Sequence, residues 1–579
     1  MPASDRDSIG GDPRQTSPIS QGRCHRLAMT VGLAVAHALL FIAAYPSINL
    51  WPLSFLAIAP LWWLAVHART TRRALLVVFI VQLGLWLWMN RWILPVTAVG
   101  YPLLSTYMAG YAVLFVWLVR RISYHRRLSR WPATCVLPIL WVGVECLRGE
   151  LIFRGYPWYL LAHPLIEWPV LVQSADLLGT YWLSFLSAMV SGAIVDIATM
   201  RSTQIIRRAA VAAVVLTLGL HAANIAYGLW RLGQPTLRPG PSILVIQTNL
   251  AQDNKIGWPV EDQPRDVAGF IALTRTAFEQ ANQPVDLIVW PETMVPGLGL
   301  EPQTIEQIKR FGPGYEHLYQ WGQALVELSG ELSIPLLAGS PAWVEAFFVQ
   351  GEAGQRLDRR YGFNSAYLIQ GDPPYQRYDK HFLTPFGETM PYISAWPWLE
   401  QRLLALGAEG MRFDLDSNPQ IKLLRLDWND QTLRLATPIC FEDTVAWLCR
   451  KMVYTNGAKT AEVLVNLSND GWFGVSASGR RQHVQIARFR CVENRVPMVR
   501  AANTGLSVAI DSRGKLIGQI GEGRYGAAQT QGTLLAELPL DSRSTLYGRL
   551  GDVWAWLCLL GTVVLGGSAI FLGAKEPKP

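Results

Sequence analysis

Charge is scarce in this chain. Asp, Glu, Lys and Arg make up 16% of the 579 residues, whereas half of the residues are apolar. So little charge over so long a chain excludes an ordinary soluble protein and points to a membrane protein. Metal-ligand spacing is missing as well. The seven cysteines stand at 24, 135, 146, 440, 449, 491 and 558, without a CxxC pair or a Cys/His cluster, so no zinc or other metal site is expected. Cys440, Cys449 and Cys491 lie in the large polar region, and at least one of them must be unpaired. There is no internal repeat. Acidic residues are absent from three short segments, 68–73, 119–131 and 199–208. These hold Arg69, Arg72, Arg73, Arg120, Arg121, Arg126, Arg127, Arg130, Arg201, Arg207 and Arg208, more positive charge than the net +8 of the whole chain. The excess therefore reads as membrane-topology signals and not as a nucleic-acid-binding face.

What is present is a series of apolar spans. Residues 1–22, rich in Ser, Pro, Gly and Asp, read as a disordered cytoplasmic tail. No cleavage site follows them, so the first apolar run reads as an anchor and not a signal peptide. Seven spans are expected near 27–45, 49–67, 74–94, 103–120, 132–148, 174–198 and 209–230, and an eighth near 552–573. Each approaches the ~20 residues needed to cross ~30 Å of hydrocarbon. The basic loops follow spans two, four and six, and Lys575 and Lys578 follow span eight. Both termini, including a tail at 574–579, are then cytoplasmic, and residues 231–551 lie outside. The aromatic loop Phe153–Pro164 is expected at the interface, with Trp158 and Tyr159 in the headgroup layer. Glu145, Asp176 and Asp196 read as isolated or near span ends, which argues against a transporter.

The 231–551 region alternates strand and helix patterns. Strands are expected at Ser242–Thr248, Asp286–Trp290, Pro335–Ala338, Ala366–Gln370, Leu433–Ile439, Val463–Leu467, Pro497–Ala501, Leu506–Asp511 and Thr533–Leu538. Helices are expected at 263–281, 316–331, 445–456 and 479–494. This predicts a layered α/β domain, with Ser512–Lys515 as a hairpin turn. The many arginines of 479–494 read as a solvated face.

Three apolar strands end in chemistry. Cys440 follows Leu433-Arg-Leu-Ala-Thr-Pro-Ile439, at a corner before a helical pattern. With Asp443 or Thr444 as helix caps, the thiol would lie near a positive helix end that favours thiolate. Glu292 follows Asp286-Leu-Ile-Val-Trp-Pro291, where the proline ends ladder bonding, so the carboxylate projects as a possible general base. Lys380 follows Arg377-Tyr-Asp379 and supplies a fixed cation of the kind that holds an oxyanion; Glu388, eight residues on, can orient it. Taken singly, each has an ordinary structural explanation. A Glu, a Lys and a Cys at three strand ends are more specific together.

In that combination the sequence resembles the nitrilase superfamily, with its Glu-Lys-Cys triad. With membrane spans on both sides, it is similar to the apolipoprotein N-acyltransferase family. The resemblance covers nearly everything after the first ~25 residues. It rests on Trp290-Pro-Glu292, Lys380 with Pro385-Phe-Gly-Glu388, Ile439-Cys-Phe-Glu442, Ser468-Asn-Asp-Gly-Trp-Phe-Gly474, Gln482-His483, Arg500–Ser507 and Gly155-Tyr-Pro-Trp158. It implies an α-β-β-α sandwich inserted between the seventh and eighth helices of an eight-helix bundle. It also implies Glu292 as base, Lys380 as oxyanion stabiliser and Cys440 as nucleophile. Glu388, Glu442, Trp258 and Trp472 would support the site. Phe441 stands where the family usually has Tyr, and the segment from about 301 to 325 reads as enlarged. The donor implied is a membrane glycerophospholipid, and the acceptor a diacylglyceryl-modified apolipoprotein. The location implied is the bacterial inner membrane, with catalysis on the periplasmic side and no cofactor. Met390–Leu399 and Asn469–Gly474, with Trp472 and Phe473, are expected to form lids or lipid-contacting arms, and His483 to be structural. A membrane-tethered amidase would share the triad, and its only distinguishing feature would be a soluble substrate.

Overall fold

The computed structural model describes residues 18–46, 48–199, 204–250, 258–351, 354–392, 396, 398, 402, 415–474 and 476–572, with side chains except at 18–25, 204–206, 311, 351, 354 and 472. The expected tails at 1–22 and 574–579 lie outside this set, apart from 18–22, where a helix begins.

Among the described residues, six helices are long and apolar enough to cross a membrane: Arg26–Ala44, Thr71–Met89, Gly100–Tyr124, Thr180–Thr199, Arg207–Gly233 and Val553–Phe571. The second and fifth expected spans are shorter as helices. Trp51–His67 divides into a 3-10 turn and the helix Ala59–His67, with Pro52 and Pro60 at their starts, where proline costs no hydrogen bond. Ala133–Cys146 passes into a π-turn, Leu147–Leu151. Asp196 is not isolated. Its carboxylate accepts from the N–H groups of Ala133 and Thr134 at 2.8 and 2.9 Å, capping that helix.

The remainder is a sandwich of two six-stranded sheets. Its strands are β1 (Ser242–Gln247), β2 (Leu287–Val289), β3 (Leu336–Gly351), β4 (Gly354–Ile369), β5 (Gln376–Asp379), β6 (Leu424–Trp428), β7 (Gln431–Ala436), β8 (Val463–Ser468), β9 (Met498–Ala502), β10 (Val508–Ile510), β11 (Leu516–Gln519) and β12 (Gly532–Glu537). The first sheet runs β12-β1-β2-β3-β4-β5 and the second β6-β7-β8-β9-β10-β11. Read in those orders, both sheets pair antiparallel, parallel, parallel, antiparallel, antiparallel. A repeat invisible in the sequence is thus present in the topology.

Strand alternation sorts the layers. Ile243, Val245, Leu287 and Val289 face the second sheet, joining Leu433, Leu435 and Val463 in one core. Their neighbours Leu244, Ile246, Ile288 and Trp290 face outward onto Phe270, Leu325 and Leu328 of the helices Gln263–Glu279 and Gln320–Leu332. The helices Ala446–Val453 and Ala477–Asn494 cover the second sheet, completing four α-β-β-α layers. β3 and β4 exceed the expected strands, pairing as one hairpin from Leu336–Ile369 out to Gly351–Gly354. Pro341 stands opposite Asn364 inside that ladder, where a proline ordinarily argues against strand.

Two expectations about exposure fail. Trp158 and Tyr159 are 1% and 2% exposed, so they do not lie in a headgroup layer. Their loop folds inward because Arg148 donates to the carbonyls of Trp158 and Tyr156 at 2.6 and 3.1 Å, and Glu145 accepts from Leu161 N–H at 2.7 Å. The arginine-rich helix Ala477–Asn494 is not a solvated face either. Arg480, Arg488 and Arg490 are buried in it, and Arg495 just beyond it. This helix lies between the second sheet and the membrane helices, and its charges are matched across that seam. Arg488 pairs across it with Glu167 at 3.2 Å, while Arg490 pairs within the helix with Glu493 at 3.1 Å, which accepts from the Thr180 N–H of the membrane half at 2.9 Å. Arg495 meets Asp176 at 2.7 Å, and Arg231 reaches the same carboxylate at 2.8 Å. Asp176 therefore ties the two halves together.

Removing one partner of a fully buried pair leaves an uncompensated charge, at about 3–5 kcal/mol. Asp176→Asn strands Arg495 and is expected to lower stability by that order, read as a lowered thermal unfolding midpoint in detergent. An unchanged midpoint would refute the joint.

Candidate active site

Four strand ends meet at one edge of the sandwich. Glu292 lies three residues beyond β2. Gly339 makes room for its turn, since a Cβ there would sit 2.6 Å from the Glu292 Cα. Lys380 follows β5 directly, and Asn469 follows β8. Cys440 opens a 3-10 turn, Cys440–Thr444, after β7. Its φ of +51° is a left-handed value that a non-glycine residue adopts at some strain, as nucleophile corners do.

The three groups read from the strand ends are brought together. Lys380 Nζ lies 2.8 Å from Glu388 and 3.8 Å from Glu292 Oε1. Glu292 accepts from Asn364 Nδ2 at 2.7 Å and from the Asn469 N–H at 2.8 Å, and it stands close enough to the Cys440 thiol for each to shift the other's acidity. Both lysine partners are carboxylates, yet their environments separate them. Glu388 also accepts from the Thr384 N–H at 2.8 Å; burial works against its charge, but Lys380 holds it below the usual glutamate range. Burial raises Glu292, with Lys380 opposing and Glu388 adding to the rise. Lys380 itself is buried, which disfavours its charge, but Glu388 and then Glu292 hold it well above the ordinary lysine value. The arrangement is a fixed cation, a permanent counter-charge, and a second carboxylate more basic than usual.

The thiol differs from expectation. The α-helix begins at Ala446 with Val445 at its cap, so Asp443 and Thr444 do not cap it and Cys440 is a full turn away from its end. Thr444 Oγ1 donates to the Phe441 carbonyl at 2.7 Å, and Asp443 bonds His483. Burial first, and then the Glu292 carboxylate, push the thiol up, with Lys380 only partly offsetting them. The resting form is a neutral thiol that needs a base.

Glu442 is a clamp. Its oxygens accept from the N–H groups of Ile439, His381 and Phe382, each at 2.8 Å, and from Tyr378 Oη at 2.9 Å. One buried carboxylate thereby joins the lysine loop to the cysteine turn, and burial raises it to about 7 against those hydrogen bonds. Phe441 stacks on Phe382 with ring centres 6.3 Å apart, so the ring packs without a hydroxyl. Trp258 is placed elsewhere: its Nε1 donates to Asp266 at 3.1 Å and its ring packs on Phe270, beside the helix Gln263–Glu279. The Trp472 side chain lies outside the described residues. Phe473 is no lid; it is buried edge-on against Trp92 of the membrane half at 4.6 Å. Of the arm expected at Met390–Leu399, Met390 is buried while Tyr392, Trp396 and Trp398 are exposed; residues 393–395, 397 and 399 lie outside the described set. Phe386 and Tyr392 contact Phe153 of the membrane half at 5.2 and 5.7 Å.

Sequence reading missed Asn364, Tyr378 and Asn466, whose Nδ2 holds the carbonyls of Pro438 and Cys440 at 3.0 and 3.3 Å. The available signal was a polar residue at an inward position of an apolar strand. Among the described residues, no group of three or more His, Cys, Asp or Glu is placed to hold a metal.

Two family models match: the apolipoprotein N-acyltransferase N-terminal domain over residues 37–193, and carbon–nitrogen hydrolase over 250–546. The chain is thus a carbon–nitrogen hydrolase-type enzyme, of the nitrilase superfamily, joined to membrane helices. A Geobacter metallireducens apolipoprotein N-acyltransferase is 33% identical over 551 residues, 93% of this chain and 94% of that protein. Those of Rhizobium meliloti and Vibrio cholerae are 28% and 26% identical, covering 76% and 86% of this chain and 73% and 89% of theirs. An amidase of Nesterenkonia sp. overlays with a TM-score of 0.33 at 16% identity, covering 56% of this chain and 99% of its own, too low to carry an argument. The chain belongs to the apolipoprotein N-acyltransferase family and is an acyltransferase.

If Glu292 must be unprotonated to accept the thiol proton, acyl transfer falls as pH falls through its raised value. The acid limb of the rate profile is therefore expected above the pH at which an exposed glutamate titrates. A limb at or below the ordinary glutamate value would contradict this.

Proposed function

We propose that the enzyme moves an acyl chain from a membrane glycerophospholipid to the free α-amine of a diacylglyceryl-cysteine at the N-terminus of an apolipoprotein. The observation that carries this is Cys440 beside Glu292 and Lys380, the last two 3.8 Å apart, on a sandwich packed against membrane helices. Glu292 takes the thiol proton as sulfur attacks the ester carbonyl. Lys380 and the Phe441 N–H hold the oxyanion. The carbon–oxygen bond breaks, and Glu292 returns its proton to the departing lysophospholipid. The acceptor amine then attacks the thioester. Its proton passes through Glu292 to the leaving Cys440 sulfur, and the amide forms. The relatives' name, which joins acyl transfer to apolipoproteins, supports the acceptor. The exposed aromatic side chains of Tyr392, Trp396 and Trp398 near the lysine loop suit lipid substrates.

In this reading residues 23–230 form seven membrane helices, 231–551 the catalytic domain and 552–573 the eighth helix. The shorter segments Trp51–His67 and Ala133–Cys146 complete the bundle. The arginine-rich loops face the cytoplasm of a bacterial inner membrane, and catalysis faces the periplasm.

Purified enzyme incubated with acyl-labelled phospholipid is expected to carry a thioester on Cys440 by mass spectrometry, and Cys440→Ala to carry none. A diacylglyceryl-cysteine peptide should discharge it to an amide. Acylation that survives Cys440→Ala, or discharge to water alone, would sink the reading. For orientation, a membrane-impermeant thiol reagent added outside is expected to label Asp358→Cys and spare Arg126→Cys; the reverse pattern inverts the topology.

A further inference from the structure

A charged cluster that the transfer steps do not use lies against the Cys440–Thr444 turn. Asp443 Oδ1 is 2.5 Å from His483 Nε2, and Arg500 Nη2 is 2.8 Å from His483 Nδ1. A guanidinium can only donate. Toward Arg500, Nδ1 accepts, which places the ring's proton on Nε2, donating to Asp443; Asp470 Oδ1 stands farther from the same Nδ1, at 3.6 Å. Arg500 is fixed in turn by Asp470, at 2.8 and 3.0 Å. Asp470 adjoins Asn469, whose N–H holds Glu292. Two hydrogen-bonded arms thus leave His483, one to the turn that carries the cysteine and one to the segment that holds the carboxylate. All four side chains are buried. The membrane half closes one remaining face of the ring, where Trp158 lies 5.5 Å from the imidazole centre with its carbonyl held by Arg148 at 2.6 Å; Phe473 of the sandwich packs edge-on at 6.1 Å.

We infer that His483 is a positioning residue for acyl transfer, its Nε2–H setting Asp443 and the Cys440 turn, and that Trp158 of the membrane half holds the ring in that pose. The inference rests on Cys440 being the acylated nucleophile. It also gives the inward fold of the Trp158 loop a function: the membrane half contributes one wall of the catalytic scaffold.

The test uses full-length enzyme in detergent and an acyl-labelled glycerophospholipid. It records the rate of Cys440 acylation at saturating donor, the half-saturating donor concentration and the unfolding midpoint. His483→Phe keeps a ring against Trp158 but removes the donor. Loss of a hydrogen bond to a buried carboxylate predicts acylation about 10- to 100-fold slower, with the half-saturating concentration within about 2-fold. In His483→Gln the amide nitrogen replaces Nε2, and the rate is expected to return to within about 5-fold of wild type. Trp158→Ala should slow acylation and Trp158→Phe should largely restore it. Because both residues act through one ring, combining Trp158→Ala with His483→Phe should cost less than the product of the single losses. The inference is overturned if His483→Phe acylates at the wild-type rate, if the Gln variant is as slow as the Phe variant, or if only the half-saturating concentration moves. Should His483→Phe not fold, the Gln and Trp158 variants decide by the same criteria. Wild-type enzyme with no acyl on Cys440 overturns the nucleophile assignment and this inference with it. Acylated wild type beside an equally fast His483→Phe overturns this inference alone.

Discussion

A buried ammonium needs compensation, and the site is arranged around that need. Lys380 is almost wholly enclosed, so its charge persists only because Glu388 lies at 2.8 Å and Glu292 at 3.8 Å. Once Glu388 supplies the permanent counter-charge, Glu292 is released to be a weaker acid and hence a better base. The same enclosure keeps the Cys440 thiol neutral until that base acts. One desolvated cation thus sorts two chemically identical carboxylates into different roles, and the loop Lys380–Glu388 must be held still for that sorting to survive. Glu442 does this by gathering N–H groups from both sides of the cleft.

The second constraint is the seam between sandwich and membrane helices. Its charged groups face no bulk water, so each arginine of the helix Ala477–Asn494 that enters the seam finds a carboxylate or carbonyl there. Directional partners of this kind set the relative pose of the halves more tightly than apolar contact alone would. Aromatic rings fill the space between them, with Trp92, Trp158 and Phe473 in mutual contact. The catalytic turn and the membrane half therefore share side chains.

Much of this was legible in the residues. The apolar runs marked eight spans, of which six are helices of membrane-spanning length among the described residues, and period-two alternation found most of the strands. Strand ends located Glu292, Lys380 and Cys440 because each follows an apolar, strand-like run that gives way to a turn. The β3–β4 hairpin was underestimated because its outer half is held by its own ladder and not by a core, leaving no hydrophobic alternation to read. Trp258 was named through the resemblance alone, and a loose match does not fix where a loop tryptophan lands. The arginines of 479–494 were read as solvated because burial of charge depends on partners distant in sequence: Asp176 is 319 residues from Arg495.

By itself, then, the sequence pointed to apolar helices, to an alternating α/β region and to Glu292, Lys380 and Cys440 as strand-end groups, because those follow from local periodicity and side-chain chemistry. Tertiary structure alone decided which carboxylate is the more basic, that burial raises the thiol, and that Trp158 faces His483 and not lipid. Those properties depend on desolvation and on groups brought together from opposite ends of the chain, and neither is written in any local stretch of residues.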